Sequence, residues 1–204
     1  MSTNLILYAV AYLLGAIPFG LILARVFAKV DIKNSGSKSI GATNVLRVVK
    51  QENPRLAKIL SVMTVVLDAL KGVAPILVAR YMGFDDSVQW AMAVLAVLGH
   101  CYSPYLGFEG GKGIATGAGV LACFLPLCVG IALIAWFLVG RLLKVSSLAS
   151  LTALTTLLVS SFLLNPSLSG LNTQAPVLII AFLVVYKHIP NIKRLFCGEE
   201  KAVI

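Results

Sequence analysis

Gly107-Phe108-Glu109-Gly110-Gly111-Lys112-Gly113-Ile114-Ala115-Thr116 is a glycine-rich turn with a single lysine, and strongly apolar runs flank it on both sides. Its glycines can adopt positive φ and bring backbone N–H groups close to a ligand, while Lys112 adds a full positive charge. A helix that begins near Gly113 adds partial positive charge from its first amides. The stretch therefore favours an anion site at a membrane surface, with a plain turn between two membrane helices as the alternative.

The apolar runs dominate the composition of the whole chain. Of its 204 residues, 59% are hydrophobic and only 12% are charged, and the mean hydropathy is +0.94. Soluble domains carry roughly 25% charged residues, so this composition indicates an integral membrane protein. Because a spanning helix needs about 20 apolar residues, the chain has room for six or seven spans in one membrane domain over residues 1–204.

Seven apolar segments predict an all-α integral membrane protein with seven transmembrane helices. The segments are Leu5–Val26, Leu56–Met82, Val88–Cys101, two short helices within Ile114–Leu143 that separate near Pro126, Ser146–Leu164 and Ala175–Tyr186. Gly15, Pro18 and Gly20 predict a kink in the first segment. In the second, Asp68 and Lys71 are spaced i, i+3, which predicts a buried ion pair in preference to a substrate contact.

The basic residues predict the orientation. Of the 17 Lys and Arg, only Arg80 falls clearly at an outer end, and most of the others cluster in inner loops and at inner helix ends. The positive-inside rule then puts the N-terminus outside and the C-terminus in the cytoplasm. The formal charge of +9 suits anionic lipid or substrate. No nucleic-acid partner is expected, because the cations are not interleaved with aromatic residues in a patch.

Three polar segments share the predicted cytoplasmic face. They are the loop from Lys29 to Lys58, the glycine turn, and a third segment from His188 to Glu200. Hydroxyls, amides and the fork of Arg47 suit the oxygens of a phosphate group. The four cysteines have neither CxxC nor metal-ligand spacing, so free thiols and no metal are expected.

The three segments resemble the cytoplasmic motifs of the bacterial acyl-phosphate:glycerol-3-phosphate acyltransferases, the PlsY family. The matching residues are Gly41–Arg47; Gly99-His100, Pro104 and Gly110–Thr116; His188, Asn191-Ile192, Arg194-Leu195, Gly198 and Glu200; and Asp68-x-x-Lys71-Gly72 in the second span. The resemblance covers essentially the whole chain. One departure is clear: the family's Gly-Ser-Gly-Asn-Ile-Gly corresponds to Gly36-Ser37-Lys38-Ser39-Ile40-Gly41, so Lys38 stands where the family has a glycine. Ser39 likewise stands where the family has an asparagine. Loss of the glycine is expected to affect the geometry of the turn and part of the phosphate contact, although a lysine still suits an anionic site.

The resemblance implies a membrane acyltransferase of phospholipid biosynthesis. It would move a fatty acyl group from acyl phosphate to the 1-hydroxyl of glycerol 3-phosphate, giving lysophosphatidic acid and inorganic phosphate. No cofactor is implied, because acyl phosphate is already activated. The implied location is the bacterial cytoplasmic (inner) membrane, multi-pass, with the active-site loops facing the cytoplasm. Use of acyl-CoA and the oligomeric state are left open, and a monomer is compatible with the sequence.

A membrane carrier for phosphorylated metabolites is the alternative from another functional class. A carrier would need polar residues on both faces or a charged path across the membrane. The outer loops are short, and Asp68 and Lys71 are the charged pair within the spans. The enzyme is therefore the favoured interpretation.

Three residues are assigned catalytic roles by the resemblance. Ser37 would lie near the reacting carbonyl, and Lys112 would bind the leaving phosphate and stabilise developing charge. His188 would act as base or hydrogen-bond partner of the attacking hydroxyl, with the substrate phosphate as the alternative base.

The predicted substrate-binding residues come from all three segments. They are Gly41, Thr43, Asn44, Arg47, His100, Gly110, Gly111, Gly113, Thr116, Asn191 and Glu200. Arg47 and Asn191 would hold the glycerol phosphate. A structural role is left open for His100, and Glu200 is expected to fix the third segment by pairing with a cation.

Overall fold

The computed structural model describes residues 3–200 and 202, and this part of the chain contains helices and no strand. The helices are α1 (Thr3–Gly15), α2 (Phe19–Leu23), α3 (Ala42–Val49), α4 (Pro54–Tyr81), α5 (Asp86–Cys101), α6 (Ile114–Ala122), α7 (Pro126–Leu143), α8 (Ser146–Leu164) and α9 (Ala175–Phe196). A π-helical turn, Ala24–Ala28, extends α2, and a 3₁₀ turn, Pro104–Leu106, follows α5. The ends of the predicted domain, residues 1–2, 201 and 203–204, lie outside the described residues.

Five helical segments in the described part of the chain are long and apolar enough to cross a membrane. They are Thr3–Ala28, Pro54–Tyr81, Pro126–Leu143, Ser146–Leu164 and Ala175–Phe196. At 1.5 Å per residue, the 16 residues of α5 measure about 24 Å and the 9 residues of α6 about 14 Å. A hydrocarbon core is about 30 Å thick, so α6 reaches only about halfway across. The predicted separation of two helices near Pro126 is confirmed, because α6 ends before it and α7 begins with it.

The predicted kink in the first span is a complete break around Pro18, where α1 ends and α2 begins. The break frees backbone carbonyls that would be costly in a membrane without a donor. The Ser103 hydroxyl donates to the carbonyl oxygen of Ala16 (2.7 Å), and Lys71 Nζ donates to that of Ile17 (2.7 Å). The break therefore fixes both α4 and the chain after α5 against the first span.

The predicted ion pair within α4 is confirmed. Lys71 Nζ lies 2.7 Å from Asp68 Oδ1, and both side chains are buried. His100 Nδ1 of α5 lies 3.8 Å from the same oxygen, and the Thr116 hydroxyl of α6 donates to the backbone oxygen of Asp68 (2.7 Å). An unpaired charge at this depth would cost several kcal/mol, so the cluster joins three helices at one level.

Small residues let the helices around this cluster approach closely. A Cβ added at Gly15 of α1 would overlap the backbone of α5, and one at Gly99 of α5 would overlap the backbone of α1. A Cβ added at Gly119 of α6 would lie 2.7 Å from a backbone oxygen of α4. Such contacts are typical of helix packing in membranes, where dispersion replaces the hydrophobic effect. They hold the short helix α6 firmly against α4.

The predicted end of the last helix at Tyr186 is wrong. Helix α9 continues through His188 and Pro190 to Phe196, so most of the third polar segment is helical. Proline removes only one backbone donor, and membrane helices often tolerate it. The consequence for the site is that His188 and Asn191 project from a rigid helix.

The first polar loop contains a helix that the sequence interpretation did not predict. Helix α3 buries Val45, Val48 and Val49 in a core shared with α2 and α4. The following helix, α4, begins at Pro54, and the Asn53 side chain accepts a hydrogen bond from the Leu56 amide (3.0 Å). The loop is therefore anchored at both ends.

Candidate active site

A cavity of about 800 Å³ lies among α3, α4, α6, α7, α8 and α9. Along both α8 and α9 its lining changes from polar to apolar. From the polar end, the lining residues are Ser146, Ser147, Ser150, Ala153, Leu154 and Leu157 on α8, and Arg194, Asn191, His188, Val184 and Ile180 on α9. A cavity with this gradient suits a ligand that has a polar head and an apolar chain.

The last two residues of the glycine turn before α6, Lys112 and Gly113, form part of the polar end. Gly113 has φ +81° and caps the N-terminus of α6, a backbone conformation that favours glycine. Gly113, Ile114 and Ala115 line the cavity, so the first turn of α6 faces it. The positive end of the α6 dipole therefore lies at the polar end of the cavity.

Two cations at the polar end have no carboxylate partner. Lys112 and Arg47 both line the cavity and are half-buried. Among the described residues, no carboxylate oxygen lies within 4.0 Å of either side chain. Burial lowers the pKa of Lys112 to about 8, an effect that outweighs the attraction of Glu200. Free, partly desolvated cations of this kind are typical of a phosphate site.

His188 is oriented by the backbone of its own helix. Its Nδ1 donates to the carbonyl oxygen of Val184 (2.8 Å), and the ring is 2% exposed while lining the cavity. In the neutral ring this hydrogen bond leaves Nε2 unprotonated. His188 therefore has the tautomer that a proton acceptor needs.

Glu200 ties the chain after α9 to α8 and α9. Its carboxylate accepts hydrogen bonds from Ser147 Oγ (2.7 Å), Asn191 Nδ2 (2.6 Å) and Arg194 Nε (2.6 Å). The predicted pairing of Glu200 with a cation is confirmed, and Arg194 is the partner. Burial opposes ionisation of Glu200, but these three hydrogen bonds outweigh it and lower the pKa of the carboxyl. Asn191 Oδ1 is buried and has no hydrogen-bond partner among the described residues, which leaves it free to accept one.

Asn44 organises the first loop. Its Oδ1 accepts from the Ser37 amide (2.8 Å), and its Nδ2 donates to the backbone oxygens of Ile32, Ser35 and Ser39 at 2.9, 3.1 and 2.8 Å. The side chain is therefore fully engaged with the protein, although it lines the cavity beside Ser37.

The turn at Lys38 has a left-handed backbone at the position where the family pattern has a glycine. Lys38 has φ +58°, a region that glycine adopts readily, and its amide donates to the Ser35 carbonyl (3.1 Å). Ser37 and Ser39 line the large cavity, whereas Lys38 lies outside it. The lysine thus adopts a conformation that glycine also adopts readily, and Ser37 and Ser39 line the cavity beside it.

The remaining predicted residues divide into two groups. Gly41, Thr43 and His100 line the cavity, and the Thr43 hydroxyl is hydrogen-bonded to that of Ser146 (3.0 Å). Gly110, Gly111 and Thr116 do not line it. The Thr116 hydroxyl instead donates to the backbone oxygen of Asp68 in α4.

Gly111 lies directly against the imidazole ring of His100. Its amide donates to the His100 carbonyl (3.0 Å), and a Cβ at position 111 would overlap the ring. His100 therefore supports the peptide that precedes Lys112. The close approach of this ring requires glycine at position 111.

The chain matches a family model described as "Glycerol-3-phosphate acyltransferase" over residues 5–198. The chain belongs to this family. The glycerol-3-phosphate acyltransferases of Campylobacter lari and Campylobacter concisus are 65% and 66% identical over 201 residues, covering 98% of this chain and 99% of each relative.

Solved structures of the family have the same fold. The crystal structure of PlsY, an integral membrane glycerol 3-phosphate acyltransferase, in its glycerol 3-phosphate form is similar with a TM-score of 0.86 and 34% identity. The similarity covers 98% of this chain and 96% of the PlsY chain. The lysophosphatidic acid form of PlsY gives a TM-score of 0.81. The predicted family is therefore confirmed, and so is an all-helical integral membrane protein.

The structure adds α8 to the site of this acyltransferase family member. Ser146, Ser147 and Ser150 line the polar end of the cavity, and the first two contact predicted site residues. Serines within an apolar helix are common in membrane proteins, so the sequence carried little signal for them. Their position at the very start of α8, next to a basic turn, is the available clue.

Proposed function

We propose that this chain is a single-domain membrane acyltransferase that moves a fatty acyl group from acyl phosphate to the 1-hydroxyl of glycerol 3-phosphate, giving lysophosphatidic acid and inorganic phosphate. The observation that carries the proposal is the cavity with two free cations, Lys112 and Arg47, at one end and apolar helix faces at the other. Both proposed substrates carry phosphate, and one also carries an acyl chain. The family membership favours this enzyme over a metabolite carrier.

Acyl phosphate fits the cavity as donor because the polar end offers two separate sets of phosphate-binding groups. Lys112 and the first turn of α6 form one set, and Arg47 and Thr43 of α3 form the other. No cysteine of the described residues lines the cavity, which favours direct transfer over a thioester on the enzyme. Placing the leaving phosphate at Lys112 neutralises charge as it develops.

In the proposed reaction, the 1-hydroxyl oxygen of glycerol 3-phosphate attacks the acyl carbonyl carbon, and the bond from that carbon to the phosphate oxygen breaks. The proton of the hydroxyl passes to His188 Nε2, because Nδ1 already donates to the Val184 carbonyl. Asn191 Oδ1 accepts a hydrogen bond from the glycerol moiety, since it has no partner among the described residues. Inorganic phosphate leaves with the bonding electron pair and takes up the proton from His188.

The acyl chain is proposed to enter the cavity sideways from the bilayer. Val65 of α4 and Leu133 and Trp136 of α7 line the cavity and are 46%, 53% and 39% exposed. These side chains mark an opening between α4 and α7 that apolar chains can cross without meeting water. The reactive carbonyl then reaches the polar end while the chain stays among apolar side chains.

The proposed topology counts α5 and α6 with the five long segments, which gives seven crossings or partial crossings. The proposed membrane is the bacterial inner membrane, with the N-terminus on the outer side and the C-terminus on the cytoplasmic side. The distribution of Lys and Arg supports this orientation. It would open the polar end of the cavity to cytoplasmic glycerol 3-phosphate. The orientation is tested by placing single cysteines in the loops and measuring their accessibility to a thiol reagent in intact cells. Labelling of a cysteine at position 85 from the cytoplasmic side would contradict the proposed orientation.

The identity of the acyl donor is tested with purified protein in nanodiscs. Product formation is compared for acyl phosphate, acyl-CoA and acylated acyl carrier protein of equal acyl chain length. Acylated glycerol phosphate and inorganic phosphate are expected in equal amounts from acyl phosphate alone. The variant His188→Ala should lower turnover by about 10²–10⁴-fold, while Thr155→Ala, exposed on α8 away from the cavity, should not change it. Product from a thioester but not from acyl phosphate would overturn the donor assignment.

A further inference from the structure

A second cavity of about 450 Å³ lies on the other side of the glycine turn. Its lining residues are Lys33, Asn34, Lys38, Glu109, Gly110 and Lys187. Gly110 lines this cavity, and Lys112, two residues later, lines the larger one. The glycine turn is therefore a wall shared by two polar cavities, of which the proposed reaction uses only one.

The charges in the second cavity are not balanced. Lys33 Nζ is paired with Glu109 Oε2 at 3.0 Å. Lys38 and Lys187 have no carboxylate oxygen within 4.0 Å among the residues that the structure describes. The pair of Lys33 and Glu109 is internally neutral, so two ammonium groups remain uncompensated in one small space.

Both of these lysines line the second cavity, and an aromatic ring restrains one of them. Lys187 Nζ lies 4.6 Å from the centroid of the Tyr102 ring, a cation–π contact that restrains the side chain. Lys38 faces this cavity, whereas Ser37 and Ser39 on either side of it face the larger one. The left-handed backbone at Lys38 thus divides the first loop, with hydroxyls on one side and an ammonium group on the other.

We propose that the second cavity is an accessory binding site for a phosphomonoester, separate from the site of acyl transfer. A phosphomonoester carries a charge of about −1.5 to −2 at neutral pH, which matches two free ammonium groups. A phosphodiester carries a single negative charge and would leave one of them uncompensated. The ligand is either a water-soluble phosphomonoester or the head of a lipid phosphomonoester, and both offer the same group to the two lysines. Bound here, it lies next to the reacting cavity without occupying it.

The test counts bound ligands on the full-length protein in phosphatidylcholine nanodiscs. One arm uses radiolabelled glycerol 3-phosphate in equilibrium dialysis, and the other uses nanodiscs doped with lysophosphatidate and native mass spectrometry. The double variant Lys38→Gly/Lys187→Gln removes both free ammonium groups, and glycine suits the left-handed backbone. The charge-matched control is Lys50→Gln/Lys193→Gln, whose residues are exposed and line neither cavity.

In at least one arm, the unmodified protein and the control are expected to bind one ligand more than the double variant binds. The arm in which this occurs identifies the source of the phosphomonoester. If the double variant does not fold, Lys38→Gly alone should weaken binding of this additional ligand about tenfold. Equal numbers of bound ligands on the unmodified protein and the double variant in both arms would overturn the proposal. Neither result depends on catalysis, so failure of the acyl-transfer proposal is seen separately.

Discussion

Lys112 is expected to set the alkaline limit of the enzyme, and the substitution Lys112→Arg is expected to remove that limit. Burial lowers the pKa of Lys112 to about 8 in the free protein. The ammonium form is therefore present well below pH 8 and is lost as the pH rises through that value. If this ammonium binds the leaving phosphate, kcat/KM must fall over the same range, because kcat/KM reports the ionisation of the free enzyme.

The expected size of the effect follows from the same pKa. One pH unit above the pKa, about a tenth of the lysine remains charged, so kcat/KM should fall roughly tenfold between pH 7 and pH 9. Arginine stays charged up to about pH 12, so kcat/KM of the Lys112→Arg variant should change less than about twofold between pH 7 and pH 9. The substrate phosphates titrate near pH 6 and stay dianionic throughout. The neutral variant Lys112→Met should be about 10²–10³-fold slower at pH 7. Its kcat/KM should show no decrease at alkaline pH (no alkaline limb).

The assay is the initial rate of phosphate release and of acylated product, corrected for hydrolysis of acyl phosphate without protein. Detergent or nanodisc conditions are held constant across the pH series, and thermal unfolding at pH 7 and pH 9 checks that the fold is unchanged. An alkaline limb that persists in Lys112→Arg would refute the assignment of this titration to Lys112. A full rate in Lys112→Met would refute its role in binding phosphate.

Three further changes test neighbouring parts of the site. In Glu200→Gln, loss of the carboxylate that raises the pKa of Lys112 should move the alkaline limb of kcat/KM to lower pH. In Gly111→Ala, the new methyl group overlaps an imidazole ring and displaces the turn, so kcat/KM should fall by up to about 10²-fold, as measured by initial rates. In Asp68→Asn, the buried lysine partner loses its counter-charge, so thermal unfolding should show a loss of about 3–5 kcal/mol.

Each of these changes has its own contrary outcome. If kcat/KM of Glu200→Gln falls over the same alkaline pH range as that of the unmodified protein, the Glu200 carboxylate does not influence the pKa of Lys112. Gly130→Ala, on an open face of α7 with no atom within 4 Å of the added methyl, is the control for Gly111→Ala, and equal rates in the two variants would contradict the steric argument. Unchanged stability in Asp68→Asn would mean that water or lipid headgroups reach the lysine.

Much of the fold follows from local chemistry that the sequence displays. The break at Pro18, the start of α6 after Gly113 and the separation at Pro126 all occur where proline or glycine limits the backbone. The pair of Asp68 and Lys71 was predictable because neither charge is stable alone at that depth. Family motifs then supplied the candidate residues, most of which the structure brings to one cavity.

The parts that were missed depend on contacts between distant segments. The serines at the start of α8 gain a role only because Thr43 and Glu200 reach them from the first loop and from the chain after α9. The continuation of α9 past Pro190 depends on packing that compensates for one lost hydrogen bond. The side on which Lys38 emerges depends on a left-handed turn that a lysine rarely adopts. None of these has a strong local signature.

The opening between α4 and α7 has a kinetic consequence for the proposed enzyme. A donor that enters through it diffuses in two dimensions, so its effective concentration is its mole fraction among lipids and not its amount per litre. Glycerol 3-phosphate would instead obey ordinary bulk concentration. Adding inert phospholipid at constant donor should therefore slow the reaction, whereas diluting the whole suspension with buffer at constant glycerol 3-phosphate should leave the rate per enzyme unchanged.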